Sequence, residues 1–233
     1  MAPPALRVVL PRRLSWADVD RIAEALGSGP EARLVTLEGE GGFFCEGGAL
    51  DDAGEPRPRR FAMLLAALER DPRPVIALVD GAAMGAGVGL AAAADLVLAT
   101  RRASFGLPET LLGLVPAMVF PVLARRIGMP RARRLALGAE PLSAEEAHRS
   151  GLVDELTDDL AASLRRQARR LSRMDPQAVA TIKALAADHF ATPPGYEEEA
   201  AARLLELMAR EETRARIRRF LAGDTPWPDE DAS

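Results

Sequence analysis

The sequence predicts an α/β fold up to about residue 155 and purely helical structure beyond it. Two observations lead there. Short apolar, partly β-branched runs alternate with helical stretches of about ten residues, the order that gives parallel strands joined by right-handed crossovers. The run Pro74 to Val79 reads as a buried strand that stops abruptly at Asp80-Gly81, and glycines at 81, 85, 87 and 89 then open an alanine-rich helix.

In chain order, Leu6 to Leu10 is a strand closed by Pro11, and Ser15 caps a helix with Asp18 in its first turn and Val19, Ile22, Ala23 and Leu26 on one face. Gly27 to Pro30 breaks that helix. Leu34 to Leu37 and Phe43 to Cys45 are strands around a Gly39 to Gly42 turn. Glu46 to Asp52 is a loop with paired glycines, Gly54 to Arg60 is a Pro/Arg loop, and a helix runs from about Phe61 to Arg70. After the glycine-rich helix, Leu96 to Ala99 is another strand. Helices follow at Pro121 to Ile127 and Arg131 to Leu137, then a short one behind the capping box of Ser143 and Glu146. Gly151 to Leu156 is extended. Leu160 to Met174 is an Arg-rich amphipathic helix, and Asp175-Pro176 starts the next, to about His189. One last helix, Tyr196 to Leu221, follows the break at Pro193-Pro194-Gly195, with Ala200, Leu204, Leu207, Met208 and Ile217 as its apolar stripe. The division is thus 1–155 for the α/β core and 156–233 for the helical segment, of a kind that often packs on a neighbouring chain.

Composition narrows the function. With 48% hydrophobic and 27% charged residues, the 233-residue chain reads as a soluble globular protein. A net charge of −4 and only 4% aromatic residues give no footing for nucleic acid. The single cysteine, Cys45, and two distant histidines, His148 and His189, argue against a disulfide or a structural metal. No signal segment or uncharged apolar span long enough for a membrane is evident, so the expected compartment is the cytoplasm.

Three pieces could converge on chemistry. Gly47-Gly48 and the Ala86 region at a helix N-terminus offer backbone N–H groups at strand ends, as a developing oxyanion requires. Phe105-Gly106-Leu107-Pro108-Glu109 places a carboxylate on a loop after a strand. Each has a plainer reading: the small-residue helix could simply pack closely in a core, and Glu109 could simply start a helix. A dinucleotide loop is disfavoured, because G-x-G-x-G lacks the third glycine of that fingerprint.

At this point the sequence resembles the crotonase superfamily, the enoyl-CoA hydratase/isomerase group. The resemblance is carried by FFCEGGALDD (Phe43 to Asp52), PVIALVDGAAMGAGVGLAAAADLVLAT (Pro74 to Thr100), SFGLPETLLGLVP (Ser104 to Pro116) and PLSAEEAHRSGLVDEL (Pro141 to Leu156). It implies a ββα-type core with a helical C-terminal trimerisation segment, a homotrimer or hexamer, and a lyase or isomerase acting on an acyl thioester. The carrier would be coenzyme A or carrier-protein phosphopantetheine, part of the substrate rather than a separate cofactor. The oxyanion-hole amides match Gly48 and Ala86, and one of two hydratase glutamates matches Glu109. Gly47, Ala49, Leu50, Gly85, Gly106, Pro116 and Met118 are the implied substrate-binding neighbours.

The chain departs from the family pattern in several places. The second glutamate position falls on Gly89, and an aspartate after the first oxyanion residue is Ala49. The opening hairpin is shortened, and a usual glycine-rich stretch reads Pro116 to Pro121. More narrowly, the sequence resembles the dehydratases of polyketide β-branching, which act on a carrier-bound 3-hydroxy-3-methylglutaryl group. On that reading Arg57, Arg59 or Arg60 would hold a substrate carboxylate, although a solvated face is the favoured explanation of these arginines. Dehydration of a 3-hydroxyacyl thioester, or its reverse, is the leading expectation. A double-bond shift and a non-catalytic oligomeric homologue are the alternatives. Cys45 is expected to be buried, the histidines structural, and Glu46 and Asp51 solvated.

Overall fold

The computed structural model describes residues 4–29, 31–50 and 57–227. The chain begins with β1 (Ala5–Leu10), α1 (Trp16–Leu26), β2 (Leu34–Gly39), β3 (Phe43–Cys45), α2 (Pro58–Arg70) and β4 (Val75–Val79). It continues with β5 (Ala82–Met84), α3 (Ala86–Ala92), β6 (Leu96–Ala99), β7 (Ser104–Gly106) and a 3₁₀ turn at Pro108–Leu112. Then come α4 (Val119–Ile127), α5 (Met129–Gly138), β8 (Leu142–Ser143), α6 (Ala144–Ser150) and β9 (Glu155–Leu156). The last four helices among the described residues are α7 (Leu160–Leu171), α8 (Pro176–His189), α9 (Tyr196–Ala209) and α10 (Glu211–Ala222).

The strands form two sheets. One is parallel throughout, in the order β1-β2-β4-β6-β9; the other runs β3-β5-β7-β8, with only β8 antiparallel. Strand alternation decides what each face of the larger sheet covers. Val35, Leu37, Val75, Ala77, Val79, Val97 and Ala99 face the main core, whereas Leu34, Ile76, Leu78 and Leu98 face the other way and pack on Ala168 of α7. Leu160, Leu164 and Leu171 extend that contact at helical spacing. The sheet is therefore buried on both faces, as parallel sheets are.

Local chemistry sets the helix ends. Ser15 and Ser143 each form a reciprocal capping box, with Asp18 and Glu146 respectively. Asp159 and Asp175 cap α7 and α8. Lys183 is buried on α8 and donates to the Asp95 carboxylate and the Arg73 carbonyl, and Asp95 also accepts the Val75 amide at 2.7 Å. This pair ties α8 to the start of β4.

The structure differs from the sequence reading at two helix starts, Pro58 rather than Phe61 and Met129 rather than Arg131, and in three further places. The stretch Ala82 to Met84 is a strand hidden inside the glycine-rich turn. The first of the mid-chain helices starts at Val119 rather than Pro121, with the proline still in its first turn, where it is tolerated. The last helix is two, separated at Arg210, which has extended backbone (φ −68°, ψ 139°). Within one chain, α9 and α10 turn back onto their own body after Gly195, whose φ of +83° allows the reversal. Buried Thr213 sits against Gly113, and Arg216 donates to the Leu111 carbonyl at 3.0 Å.

Candidate active site

The site is built where two strand ends meet a helix start. Leu14 bridges to Gly48: its amide donates to the Gly47 carbonyl at 2.8 Å and its carbonyl accepts the Ala49 amide at 3.0 Å. In an extended strand those two groups share one side, so the N–H of Gly48 points to the opposite side, away from Leu14. The second donor comes from α3. Gly85 turns the chain from β5 into the helix with φ +52°, held by its amide's 2.9 Å bond to the Gly106 carbonyl. Ala86 is then the first helical residue, whose N–H has no acceptor within the helix.

The two donor turns touch. A Cβ on Gly47 would lie 3.4 Å from the Met84 carbonyl oxygen, and one on Gly85 would lie 3.8 Å from the Gly47 Cα. One residue beyond Ala86, a Cβ on Gly87 would stand 2.1 Å from the Cys45 carbonyl oxygen. Only glycine lets α3 lie this close to β3. Small residues in this helix thus serve packing and, through packing, bring Ala86 beside Gly48.

Glu109 completes the arrangement. It sits in the 3₁₀ turn that Gly113 ends in left-handed conformation, and its Oε1 would be 2.9 Å from a Cβ on Gly85. Its Oε2 is buried with no hydrogen-bond partner among the described residues. Burial pushes the carboxyl up to about 7, opposed only by its own backbone N–H. An unpartnered buried carboxyl that titrates near neutrality suits a group that gives and takes protons.

Gly48, Leu50, Ala86, Glu109 and Leu114 are shared by two adjoining cavities. The first, of about 180 Å³, is an apolar pouch that also takes in Trp16, Phe61, Met118, Val119, Leu204 and Met208. The second, of about 390 Å³, is a mouth with Arg13, Glu46, Gly47, Gly85, Phe220 and Leu221. The amides and the acid stand at the waist between them.

This geometry meets an independent finding: a model of the enoyl-CoA hydratase/isomerase family matches residues 19–222. The chain belongs to that family. A probable enoyl-CoA hydratase of Rhodobacter capsulatus is 40% identical over 163 residues, 66% of this chain and 63% of that protein. The bacillaene synthase dehydratase PksH of Bacillus subtilis is 34% identical over 159 residues, 64% of this chain and 61% of its own length. The chain thus spans less than two thirds of these relatives. A mevalonyl-coenzyme A hydratase of Aspergillus fumigatus is 31% identical over 226 residues, 90% of this chain and 83% of that protein. Among solved structures, an enoyl-CoA hydratase from Mycobacterium avium subsp. paratuberculosis superposes with a TM-score of 0.87 at 27% identity, covering 99% of this chain and 97% of that one.

Against this enoyl-CoA hydratase/isomerase background, most of the expected site residues come together. Gly48, Ala86, Glu109, Ala49, Leu50, Pro116 and Met118 line the pouch, and Gly47 and Gly85 line the mouth. Gly106 does not. It lies outside both cavities, with its Cβ position 2.8 Å from the Met84 sulfur and 3.4 Å from Pro141, and its carbonyl holds Gly85. Of the two readings of the arginines, the structure agrees with the solvated face and not with a substrate carboxylate. Arg57 and Arg60 face Asp20 and Arg59 pairs with Glu198, and none of the three lines the cleft. Their exposure and nearby carboxylates keep them on a solvated face.

Other candidates resolve simply. Cys45 is buried and its thiol is pushed up to about 11 by that burial. Glu46 lines the mouth but is paired with Arg12 at 2.7 Å. His148 Nδ1 is 2.9 Å from the Val153 carbonyl oxygen, a structural contact. Asp51 lies outside the described residues. No group of three or more potential metal ligands occurs among the described residues, and no described helix is long and apolar enough to cross a membrane. Sequence reasoning missed Trp16, Leu204, Met208, Phe220 and Leu221 as cleft residues. The 200/204/208 spacing on α9 did announce a buried stripe, without saying what it covers.

Proposed function

We propose that this protein acts on an acyl thioester whose carbonyl oxygen accepts the amides of Gly48 and Ala86, while Glu109 moves a proton at C2. The leading reaction is dehydration of a 3-hydroxyacyl thioester, or the reverse. The Glu109 carboxylate takes the C2 proton and the negative charge collects on the thioester oxygen. The C3–O bond then breaks, and the same proton leaves on the departing hydroxyl as water. The observation that carries this reading is the unpartnered, buried Oε2 of Glu109 at the waist that both amides share.

A double-bond shift is the second reading, favoured by what surrounds Gly89. A Cβ there would lie 3.0 Å from Val119 Cγ2, 3.4 Å from Leu65 Cδ1 and 3.5 Å from Phe61 Cζ, an apolar setting, and no second acid lines the pouch among the described residues. One carboxylate suffices to lift a proton from C2 and return it at C4.

Likeness to PksH supports a β-branching dehydratase, but a 3-hydroxy-3-methylglutaryl group would bring a carboxylate into a pouch without a cation among the described residues. An uncharged acyl group fits better. Coenzyme A and a carrier protein present the same phosphopantetheine arm, so both belong in the assay. The assembly proposed is a homotrimer or hexamer, which light scattering checks.

Mass spectrometry of 3-hydroxyacyl and enoyl thioesters on both carriers tests the reading. Loss or gain of one water supports dehydration or hydration, and unchanged mass with a moved double bond supports the isomerase. No turnover of any thioester by the wild type would leave a non-catalytic homologue.

A further inference from the structure

The pouch is small and lined almost wholly by apolar residues. Its volume is about 180 Å³, and an apolar cavity of about 150 Å³ takes up one benzene molecule, so it has room for about six carbons. Glu109 is the one ionisable side chain lining it among the described residues, and it stands at the waist shared with the mouth. Phe61 and Val119 line the pouch alone. Both are also held in place from behind, because they are the side chains that close over the bare Cα of Gly89 together with Leu65. Phe61, Leu65 and Val119 are 7%, 1% and 4% exposed, so this wall has packed core at its back and no slack to open.

We infer that Phe61 and Val119 are specificity-determining residues that limit the substrate to a short, uncharged acyl chain of about six carbons or fewer. The inference rests on the acyl-thioester reading. Each methylene that enters the pouch strengthens binding about fourfold, the equivalent of about 0.8 kcal/mol, until the wall is met. A terminal carboxylate would have to enter without a cationic partner and would lose its hydration, which weakens binding by on the order of a hundredfold or more.

The test is calorimetric titration of saturated acyl-coenzyme A thioesters, from two to twelve carbons, together with glutaryl-coenzyme A, alongside turnover of the matching substrates. Wild-type affinity is expected to rise about fourfold per carbon to about six carbons and then level or fall. Glutaryl-coenzyme A should bind at least about a hundredfold more weakly than the five-carbon uncharged thioester. Val119→Ala and Phe61→Leu, milder than Phe61→Ala and chosen to keep the fold, should each move the break to longer chains. A rise that continues to twelve carbons, breaks that stay put in both variants, or equal binding of the glutaryl thioester would each overturn the inference. Its failure separates from that of the parent reading. A break near six carbons without turnover of any thioester leaves the pouch and removes the reaction, whereas turnover with an unbroken profile does the opposite. No binding of any acyl thioester would remove both.

Discussion

Replacing Glu109 by glutamine should change how stability depends on pH, and by an amount the structure sets. Burial holds the carboxyl at about 7 in the folded chain against 4.5 for the free group. The folded state therefore binds this proton more tightly than the unfolded state does. The associated stabilisation is fully present below pH 4.5 and is lost as pH rises through about 7. At about 1.36 kcal/mol per pH unit, the loss amounts to about 3 kcal/mol by pH 8. Glutamine has nearly the same shape and does not titrate. Urea unfolding of wild type and Glu109→Gln between pH 4 and pH 8 should thus show nearly parallel stabilities at the acid end. The variant should become the more stable form by about 3 kcal/mol at the alkaline end. Activity should fall by orders of magnitude in the same variant while thioester binding persists. A stability difference that stays constant across this range would mean that Glu109 is solvated or paired, and the proton-transfer argument would lose its basis.

Other outcomes follow from the same geometry. Gly48 has nothing within 4 Å of its Cβ position, so Gly48→Ala should fold normally, while Gly48→Pro removes the N–H and should turn over on the order of 10²–10³ times more slowly than the alanine variant. Gly85→Ala forces a side chain at φ +52° and 2.9 Å from the Glu109 Oε1, so both melting temperature and rate should fall, with at least about 1–2 kcal/mol of destabilisation. Gly87→Ala meets the Cys45 carbonyl oxygen at 2.1 Å and should abolish soluble expression or lower the unfolding midpoint sharply. Lys183→Met removes the ammonium facing Asp95, which keeps the Val75 amide and a one-third exposed side chain, so it should cost about 1–2 kcal/mol in chemical denaturation at neutral pH, less at acid pH where Asp95 is protonated.

Much of this fold can be read in the sequence because most of its elements are locally self-consistent. The β4 run, the Ser15 and Ser143 caps and the glycines of the β5–α3 turn each point to one structure by themselves. What stayed hidden depends on distant partners. The strand Ala82–Met84 is too short for a periodic signal and exists because β3 and β7 flank it. The break at Arg210 falls where α9 covers the pouch and α10 turns to the Gly113 loop. Nothing near Arg59 in the chain announces Glu198, and nothing near Gly106 announces that its neighbours are Met84 and Pro141. The donors and the acid were legible as separate motifs, but their meeting depends on Gly87 and Gly47 allowing backbones to touch.

The central claim, that the amides of Gly48 and Ala86 polarise one thioester carbonyl, is tested most directly by infrared spectroscopy. A carbon-13-labelled saturated acyl-coenzyme A thioester would be bound to the wild type, Glu109→Gln and Gly48→Pro. The carbonyl stretch should move to lower frequency in the wild type, keep that shift in Glu109→Gln and lose much of it in Gly48→Pro. A bound carbonyl that absorbs where the free thioester does, in a wild-type complex shown to be saturated, would contradict the account.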